Sequence, residues 1–252
     1  MGKYDVIIVG GGPGGSSAAF RLTHAGAHVL VLDKARFPRY KTCGGAVPQS
    51  ILKHLPFDFD PIVSAQVANV HYNLAGRSQV CIPIADRPVK MFMRDKFDAY
   101  LAHQCGAEVR DGCTVREVTE ETQGIRIVTE RGEVIHAQYL VGANGAKSVV
   151  ARQLELPRAR RPGGAIEVEA TVSSHLLERY AHAALFEFGA VPNGYMSYDL
   201  ILHDLFVSRS CCINPPSHQI HAKAVQAATR AGTHHNVARF QVIERLRQLA
   251  LA

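Results

Sequence analysis

The sequence predicts an α/β protein: a Rossmann-like domain followed by the start of a partial antiparallel β-sheet domain. Three observations carry this. Val6-Ile7-Ile8-Val9 and Val29-Leu30-Val31-Leu32 are continuous apolar runs, as strands buried on both faces of a parallel sheet require. Between them a glycine-rich turn, Gly10 to Gly15, opens a helical stretch. Much later, Ala165 to Val172 alternates apolar with polar residues, the mark of a half-exposed strand.

Taken in order, the elements follow from local chemistry. The first strand leads into the glycine turn. Ser16 to Ala25 reads as a helix with Ala19, Phe20 and Leu22 among its apolar positions, and Gly26 suits its C-terminal stop. The second strand ends at Asp33, and residues 34–50 read as a polar, basic loop containing Cys43, Gly44 and Gly45. Val67 to Tyr72 and Gln79 to Ile84 are expected strands. Arg94 to Gln104 is an expected helix with Phe97 and Leu101 on one face. Val115 to Val118 and Ile125 to Thr129 are strands around a turn at Gly124, and Tyr139 to Gly142 is a strand entering a glycine turn, with a helix near Ser148. The chain changes character at about residue 196. The last 57 residues hold one of the 21 glycines but five of the 13 histidines, together with the pairs Cys211-Cys212 and Pro215-Pro216. Val237 to Leu251 could form a short amphipathic helix.

Composition narrows the function classes. The chain has 252 residues, 47% hydrophobic and 20% charged, the balance of an ordinary globular protein. No apolar run is long enough to span a bilayer as a helix, and no secretory leader is expected from the short run after Lys3. The net charge of +6 is partly local, in Lys34, Arg36, Arg39 and Lys41 and in Arg158, Arg160 and Arg161. Aromatic content of 7% and the absence of Trp argue against a nucleic-acid partner. The basic clusters suit an anionic small ligand or an acidic membrane surface. The six cysteines form no CxxC pair and the histidines form no HExxH, so no metal is expected and a reducing cytoplasm is.

The strongest motif is Gly10-x-Gly12-x-x-Gly15, because of its setting. It follows a buried strand, opens a helix, and is followed by Asp33 at the end of the next strand, the context that confirms a dinucleotide-binding unit. Gly10 permits the tight turn, Gly12 lets a diphosphate approach the backbone, and Gly15 lets the helix pack on the strand. The helix N-terminus, with Pro13 and Gly14, supplies N–H donors and positive potential. Asp33 can accept from a ribose hydroxyl and would repel a 2′-phosphate. Arg94 has two readings, a cation beside an anionic ligand or an i,i+4 ion pair with Asp98 on a surface helix. Glu167 and Glu169 share a strand face and read as solvated.

The stretch YDVIIVGGGPGGSSAAFRLTHAGAHVLVLDK resembles the N-terminal FAD fingerprint of the flavoprotein hydroxylase and reductase superfamily. The loop FPRYKTCGGAVP is similar to that of the geranylgeranyl reductase family. Arg94 to Leu101 resembles the RxxFDxxL helix of that family, Val141 to Ser148 resembles its second glycine motif, and FEFGAVPNGY is a weaker echo. The resemblance implies a cofactor, FAD, held by Gly10, Gly12, Pro13, Gly14, Gly15, Asp33, Lys34, Cys43, Gly44, Arg94, Val118, Asn144 and Gly145. It implies that Arg94 lies near the ribityl and phosphate groups, that Val118 offers backbone contacts to adenine, and that the Cys43 loop lies against the flavin. Cys43 is the candidate catalytic residue as a proton donor; an inert buried thiol is the other reading. The activity implied is reduction of isoprenoid double bonds, with NAD(P)H or another reductant as electron donor. The substrate would be long, apolar and lipid-like, the location cytoplasmic, with peripheral contact at the inner membrane face as an option.

The domain plan that follows is a FAD-binding domain over 1–155 with a substrate-side insertion around 55–90, the start of a substrate domain over 156–195, and an atypical tail over 196–252. Two departures from the family pattern stand out. Asn144 replaces the usual Asp, which keeps an acceptor and loses the charge. Tyr195 is followed by MSYDLILHD in place of a W-x-FP strand, and no Gly-Asp dipeptide follows, where the family has a third flavin motif. The expectation is a truncation or frameshift near residue 196. Two other functions stay open: an aromatic hydroxylase, against which the Cys-Gly-Gly loop counts, and a non-catalytic nucleotide-binding remnant, which the missing third motif favours.

Overall fold

The structure, a computed structural model, describes residues 4–74, 78–157, 163–171, 178, 180–189, 194–202 and 205–213. In chain order the first half contains β1 (Tyr4–Val9), α1 (Pro13–His24), β2 (Val29–Leu32), β3 (Ala46–Pro48), α2 (Gln49–Leu52), β4 (Ala65–Val67), β5 (Asn69–Leu74), β6 (Ser78–Pro83) and β7 (Val89–Met91). Then come α3 (Arg94–Gln104), β8 (Glu108–Arg110), β9 (Val115–Glu121), β10 (Gly124–Thr129), β11 (Val134–Gly142), α4 (Val149–Gln153), β12 (Gly163–Thr171), β13 (Ala183–Phe188), β14 (Gly194–Leu202) and β15 (Leu205–Ile213). The described residues group into two compact units, one within 1–41 and 94–160, the other within 42–93 and 161–252.

The first unit is built on a six-stranded sheet of order β8-β2-β1-β11-β10-β9. β8, β2, β1 and β11 are parallel, and β10 and β9 extend the sheet as an antiparallel meander. The apolar runs foreseen for β1 and β2 are buried throughout, because both faces of these strands are covered: Ile7, Ile8 and Leu30 have no exposed surface. Each such side chain contributes roughly 1.5–3 kcal/mol by leaving water. One face packs into a core with Ile127, Ile135 and Val150. α1 packs on β1, β2 and α3. Its start at Pro13, three residues before the expected Ser16, reflects proline's preset φ at the first helical position.

Parallel register delivers the loops of interest to one end of this sheet. Val9 lies beside Leu32 on one side and Gly142 on the other. The Gly10 amide therefore donates to the Leu32 carbonyl (2.7 Å), and the Ala143 amide donates to the Val9 carbonyl (2.8 Å). The glycine loop, Asp33 and the Ala143-Asn144 turn thus emerge side by side from strand carboxyl ends, where ligands bind in open α/β sheets.

The second unit holds a six-stranded sheet of order β12-β15-β14-β13-β5-β6 and a small sheet of order β3-β7-β4. All pairs in the larger sheet are antiparallel except β13 with β5. Val67, Met91 and Ala184 form its small core. β14 and β15 carry the chain through residue 196 and pair along their length; the rest of the tail, with the expected helix over 237–251, lies outside the described residues. The loop expected over 34–50 contains β3 and the start of α2, because Ala46 to Pro48 pair with Val89 to Met91, a long-range partner that no local pattern announces. No helix among the described residues is long and apolar enough to cross a membrane.

Candidate functional site: a diphosphate cradle at the first glycine loop

Gly10 sits at φ 107°, and a Cβ there would collide with the Ala143 carbonyl. A Cβ on Gly15 would collide with the Gly10 carbonyl oxygen. These two glycines close the turn against β11 and α1. The other side is open: a Cβ on Gly14 would meet nothing within 4 Å, and one on Gly12 would meet only the Arg39 Nη2 atom, at 3.6 Å. Gly12 is the N-cap of α1, no side chain caps the helix, Pro13 occupies its first turn, and no acidic residue lies there. The helix's own first turn therefore adds no negative charge at its positive end.

Asp33 is buried, and both its oxygens serve the loop. Oδ2 accepts from the Gly11 amide at 2.7 Å and Oδ1 accepts from the Ala35 amide at 2.9 Å. The carboxylate pins the glycine turn to the end of β2, and each oxygen keeps a second lone pair for a ligand hydroxyl. Lys34 is exposed.

Arg94 and Asp98 do pair, Nε to Oδ1 at 2.8 Å and Nη2 to Oδ2 at 2.9 Å. The pair is not a surface feature, because Asp98 has no exposed side-chain area. It also takes a second guanidinium: Arg39 Nη2 lies 2.9 Å from Asp98 Oδ2. One buried carboxylate thus holds two arginines, of which Arg39 reaches the glycine loop at Gly12. Sequence reading placed Arg39 only in a basic loop. The available signal was Asp98 itself, a carboxylate between Phe97 and Leu101 on the buried face of α3, where a charge requires partners.

Val118 is buried, and its amide donates to Gln153 Oε1 (2.7 Å), while Gln153 Nε2 donates to the Arg116 carbonyl (2.9 Å). Gln153 on α4 therefore closes the outer edge of β9, and an adenine using the Val118 amide would displace that carboxamide. Asn144 Oδ1 accepts from Ser148 Oγ at 2.5 Å, and Ser148 Oγ accepts from the Ala151 amide as the cap of α4. A carboxylate at position 144 would accept the same bond. Gly145, at φ 81°, has open space around it.

Cys43 and Gly44 belong to the second unit and the glycine loop to the first. The Cys43 side chain is exposed and forms no disulfide, so the inert buried thiol is not what the fold produces. Gly45 has φ 64°, and a Cβ on it would collide with the Phe92 carbonyl; its own carbonyl accepts from the Phe92 amide at 3.0 Å. The second glycine of this loop is explained by that close approach to Phe92.

The residues of the first unit fit a dinucleotide diphosphate. The open glycine side and the uncapped helix end offer donors to an anion, and Arg39 is a cation beside them whose buried Nη1 has no hydrogen-bond partner among the described residues. Gly10, Gly12, Pro13, Gly14, Gly15, Asp33 and Arg94 come together in this unit, as do Asn144 and Val118 with their own partners.

Comparison with known proteins agrees with this geometry. The family model described as lycopene cyclase protein matches residues 5–173. A geranylgeranyl diphosphate reductase of Rhodobacter capsulatus is 35% identical over 170 residues, covering 64% of this chain and 41% of that protein. A protein of Methanosarcina barkeri is 34% identical over 78% of this chain and 51% of its own length. A menaquinone reductase of Mycolicibacterium smegmatis is 28% identical over 60% of this chain and 40% of its own. The chain thus spans about half or less of the length of these relatives. Among solved structures, a geranylgeranyl bacteriochlorophyll reductase-like protein of Thermoplasma acidophilum superposes with TM-score 0.77 at 19% identity, covering 91% of this chain and 62% of that one. A halogenase solved with phloroglucinol and FAD gives TM-score 0.69 at 17% identity, over 92% and 58% of the two chains. These two likenesses establish the fold. With the family match over most of its length, the chain belongs to the lycopene cyclase protein family, in the FAD-binding oxidoreductase superfamily that includes the geranylgeranyl reductases.

Proposed function

We propose that this chain binds FAD and serves a flavin-dependent reduction of carbon–carbon double bonds in an isoprenoid group. The observation that carries the reading is the cradle at the carboxyl ends of β1, β2 and β11, open at Gly12 and Gly14, with Arg39 beside Gly12 and paired, like Arg94, to the buried Asp98. The similarity to a geranylgeranyl diphosphate reductase supports the substrate class.

When bound, FAD would supply hydride chemistry. The chain's own residues do the rest. The glycine loop and the α1 N-terminus hold the diphosphate, Arg94 offsets its charge, and Asp33 fixes the loop and accepts from the adenosine ribose. Asn144 and Gly145 shape the neighbouring turn. The exposed Cys43 thiol, with Gly44 beside it, is the proposed proton source, delivering a proton from Sγ to the alkene carbon that takes no hydride. The basic stretch from Lys34 to Lys41 suits an anionic head on a long apolar substrate, met in the cytoplasm at the membrane surface. NAD(P)H or another two-electron donor would restore the reduced cofactor.

The test begins with the purified full chain. A flavin absorption band that bleaches with dithionite is the expected result. Incubation of the reduced protein with geranylgeranyl diphosphate should then add one dihydrogen per bond saturated, read by mass spectrometry. Cys43→Ala should slow that saturation at least tenfold in protein that is still loaded with FAD. A protein that takes up FAD but never transfers reducing equivalents supports the non-catalytic reading. A protein that takes up no FAD overturns the proposal.

A further inference from the structure

The reading above assigns Arg94 and the glycine loop to the diphosphate and counts Arg39 only among the basic residues beside the cradle. The guanidinium of Arg39 is held at two points. Nη2 pairs with the buried Asp98 carboxylate at 2.9 Å. Its Cζ lies 5.4 Å from the centroid of the Phe37 ring, a cation–π distance. Phe37 in turn backs the glycine loop, since a Cβ on Gly11 would meet its ring at 3.1 Å. The side chain is only 17% exposed, and Nη2 lies 3.6 Å from where a Cβ of Gly12 would stand. A guanidinium so placed has lost most of its hydration, yet Nη1 is buried and has no partner among the described residues. Leaving a buried charged donor unpaired is costly, and the Gly12 beside this guanidinium is the uncapped start of α1, whose first turn carries no acidic residue.

We infer that Arg39 is a second cationic clamp for the cofactor's diphosphate, and that Asp98 is the positioning residue that aims it. The inference rests on the proposed FAD binding and deepens it. Arg39 is not needed to neutralise Asp98, because Arg94 already makes two bonds to that carboxylate. Its placement is explained by an anion that accepts from Nη1 when it arrives at the glycine loop. A guanidinium suits that task, since its rigid fork can hold Asp98 with one nitrogen and a phosphate oxygen with another. Asp98 then acts through Arg39 and touches no ligand itself.

The experiment measures binding of FAD, ADP and adenosine to the full chain by calorimetry, with apo-protein melting as a fold control. Arg39→Met should weaken FAD and ADP at least tenfold, leave adenosine within twofold, and flatten the dependence of ADP affinity on salt. Arg39→Lys keeps the charge and loses the fork, and should fall between the parent and Arg39→Met. Asp98→Asn should weaken ADP, and adding Arg39→Met to it should cost less than Arg39→Met does alone. Parent protein that binds neither FAD nor ADP defeats the FAD reading itself. Parent protein that binds both, with Arg39→Met and Arg39→Lys retaining parental affinity, overturns the clamp and leaves the FAD reading standing. An equal loss for adenosine and ADP also overturns it, as a general disturbance of the fold. If Arg39→Met does not fold, Arg39→Lys decides alone.

Discussion

Gly14 and Gly15 are neighbours with opposite tolerances. A methyl group on Gly15 would run into the Gly10 carbonyl, whereas one on Gly14 would enter open space. Gly15→Ala should therefore abolish FAD binding and lower the melting temperature. Gly14→Ala should keep or raise apo stability, by up to about 1 kcal/mol from helix propensity, while weakening FAD where the diphosphate approaches. Calorimetry and thermal melts on the two variants separate these outcomes, and equal behaviour would refute the cradle. Asp33 makes a related case. Asp33→Ala leaves the Gly11 and Ala35 amides without their acceptor, so it should cost roughly 1–3 kcal/mol even in the absence of cofactor. Urea unfolding of the apo-protein checks that value. The spacing of Gly10, Gly12 and Gly15 was legible because a tight turn between a buried strand and a helix constrains residues close together in sequence. The use of Asp33 to pin Gly11, and of Arg39 to share Asp98, was not, because those bonds join residues 22 and 59 positions apart.

At the scale of elements, the helix over Arg94–Gln104 and the strand over Val29–Leu32 were read to their ends. Each is bounded by its own chemistry, a buried apolar run in one and a helical repeat closed by Gly106 in the other. β8 and β7 escaped notice, since three residues such as Glu108-Val109-Arg110 have no period and become strands only by pairing with β2 or β3. The junction after α3 carries a prediction. Cys105 is buried, its Sγ donates to the Ala102 carbonyl (3.1 Å), and its own carbonyl accepts from Thr23 Oγ1 (2.9 Å), tying α3 to α1. Burial pushes its thiol pKa up in the folded chain. Once unfolded, the thiol ionises in the ordinary range, so stability is full below that range and falls as pH rises through the folded value. Cys105→Ser keeps the donor and removes the titration. Between about pH 7 and about pH 10 it should lose less unfolding free energy than the parent. The residual loss belongs partly to Cys113, whose pKa burial also raises. Identical alkaline slopes in urea melts of the two proteins would show that the Cys105 thiol is not desolvated as described.

At the scale of the whole molecule, the second unit draws on residues 42–93 and on strands beyond 161. No local pattern shows that β13, from Ala183, lies parallel to β5, from Asn69; that neighbour relation is set by the sheet as a whole. Its consequence is a shared face. Cross-strand register places Tyr72 beside Val80, Ile82 beside Val70, and Phe188 beside Leu74, and Tyr72 stacks on Phe186 and Phe188 with centroids 5.6 and 6.2 Å apart. Tyr72, Leu74, Val80, Ile82 and Phe188 are all exposed large apolar side chains. β6 is also an edge strand, and an apolar edge offers both side chains and unpaired backbone to another chain. The chain on its own should bind a hydrophobic fluorescent dye and self-associate as its concentration rises. Val80→Lys with Ile82→Lys should reduce both effects several-fold, because two charges on an edge strand oppose pairing. Neither side chain belongs to the buried core, so the melting temperature should stay within a few degrees of the parent's. Light scattering and dye titration read the first two quantities. Unchanged association in the double variant would move its source away from the β5–β6 edge.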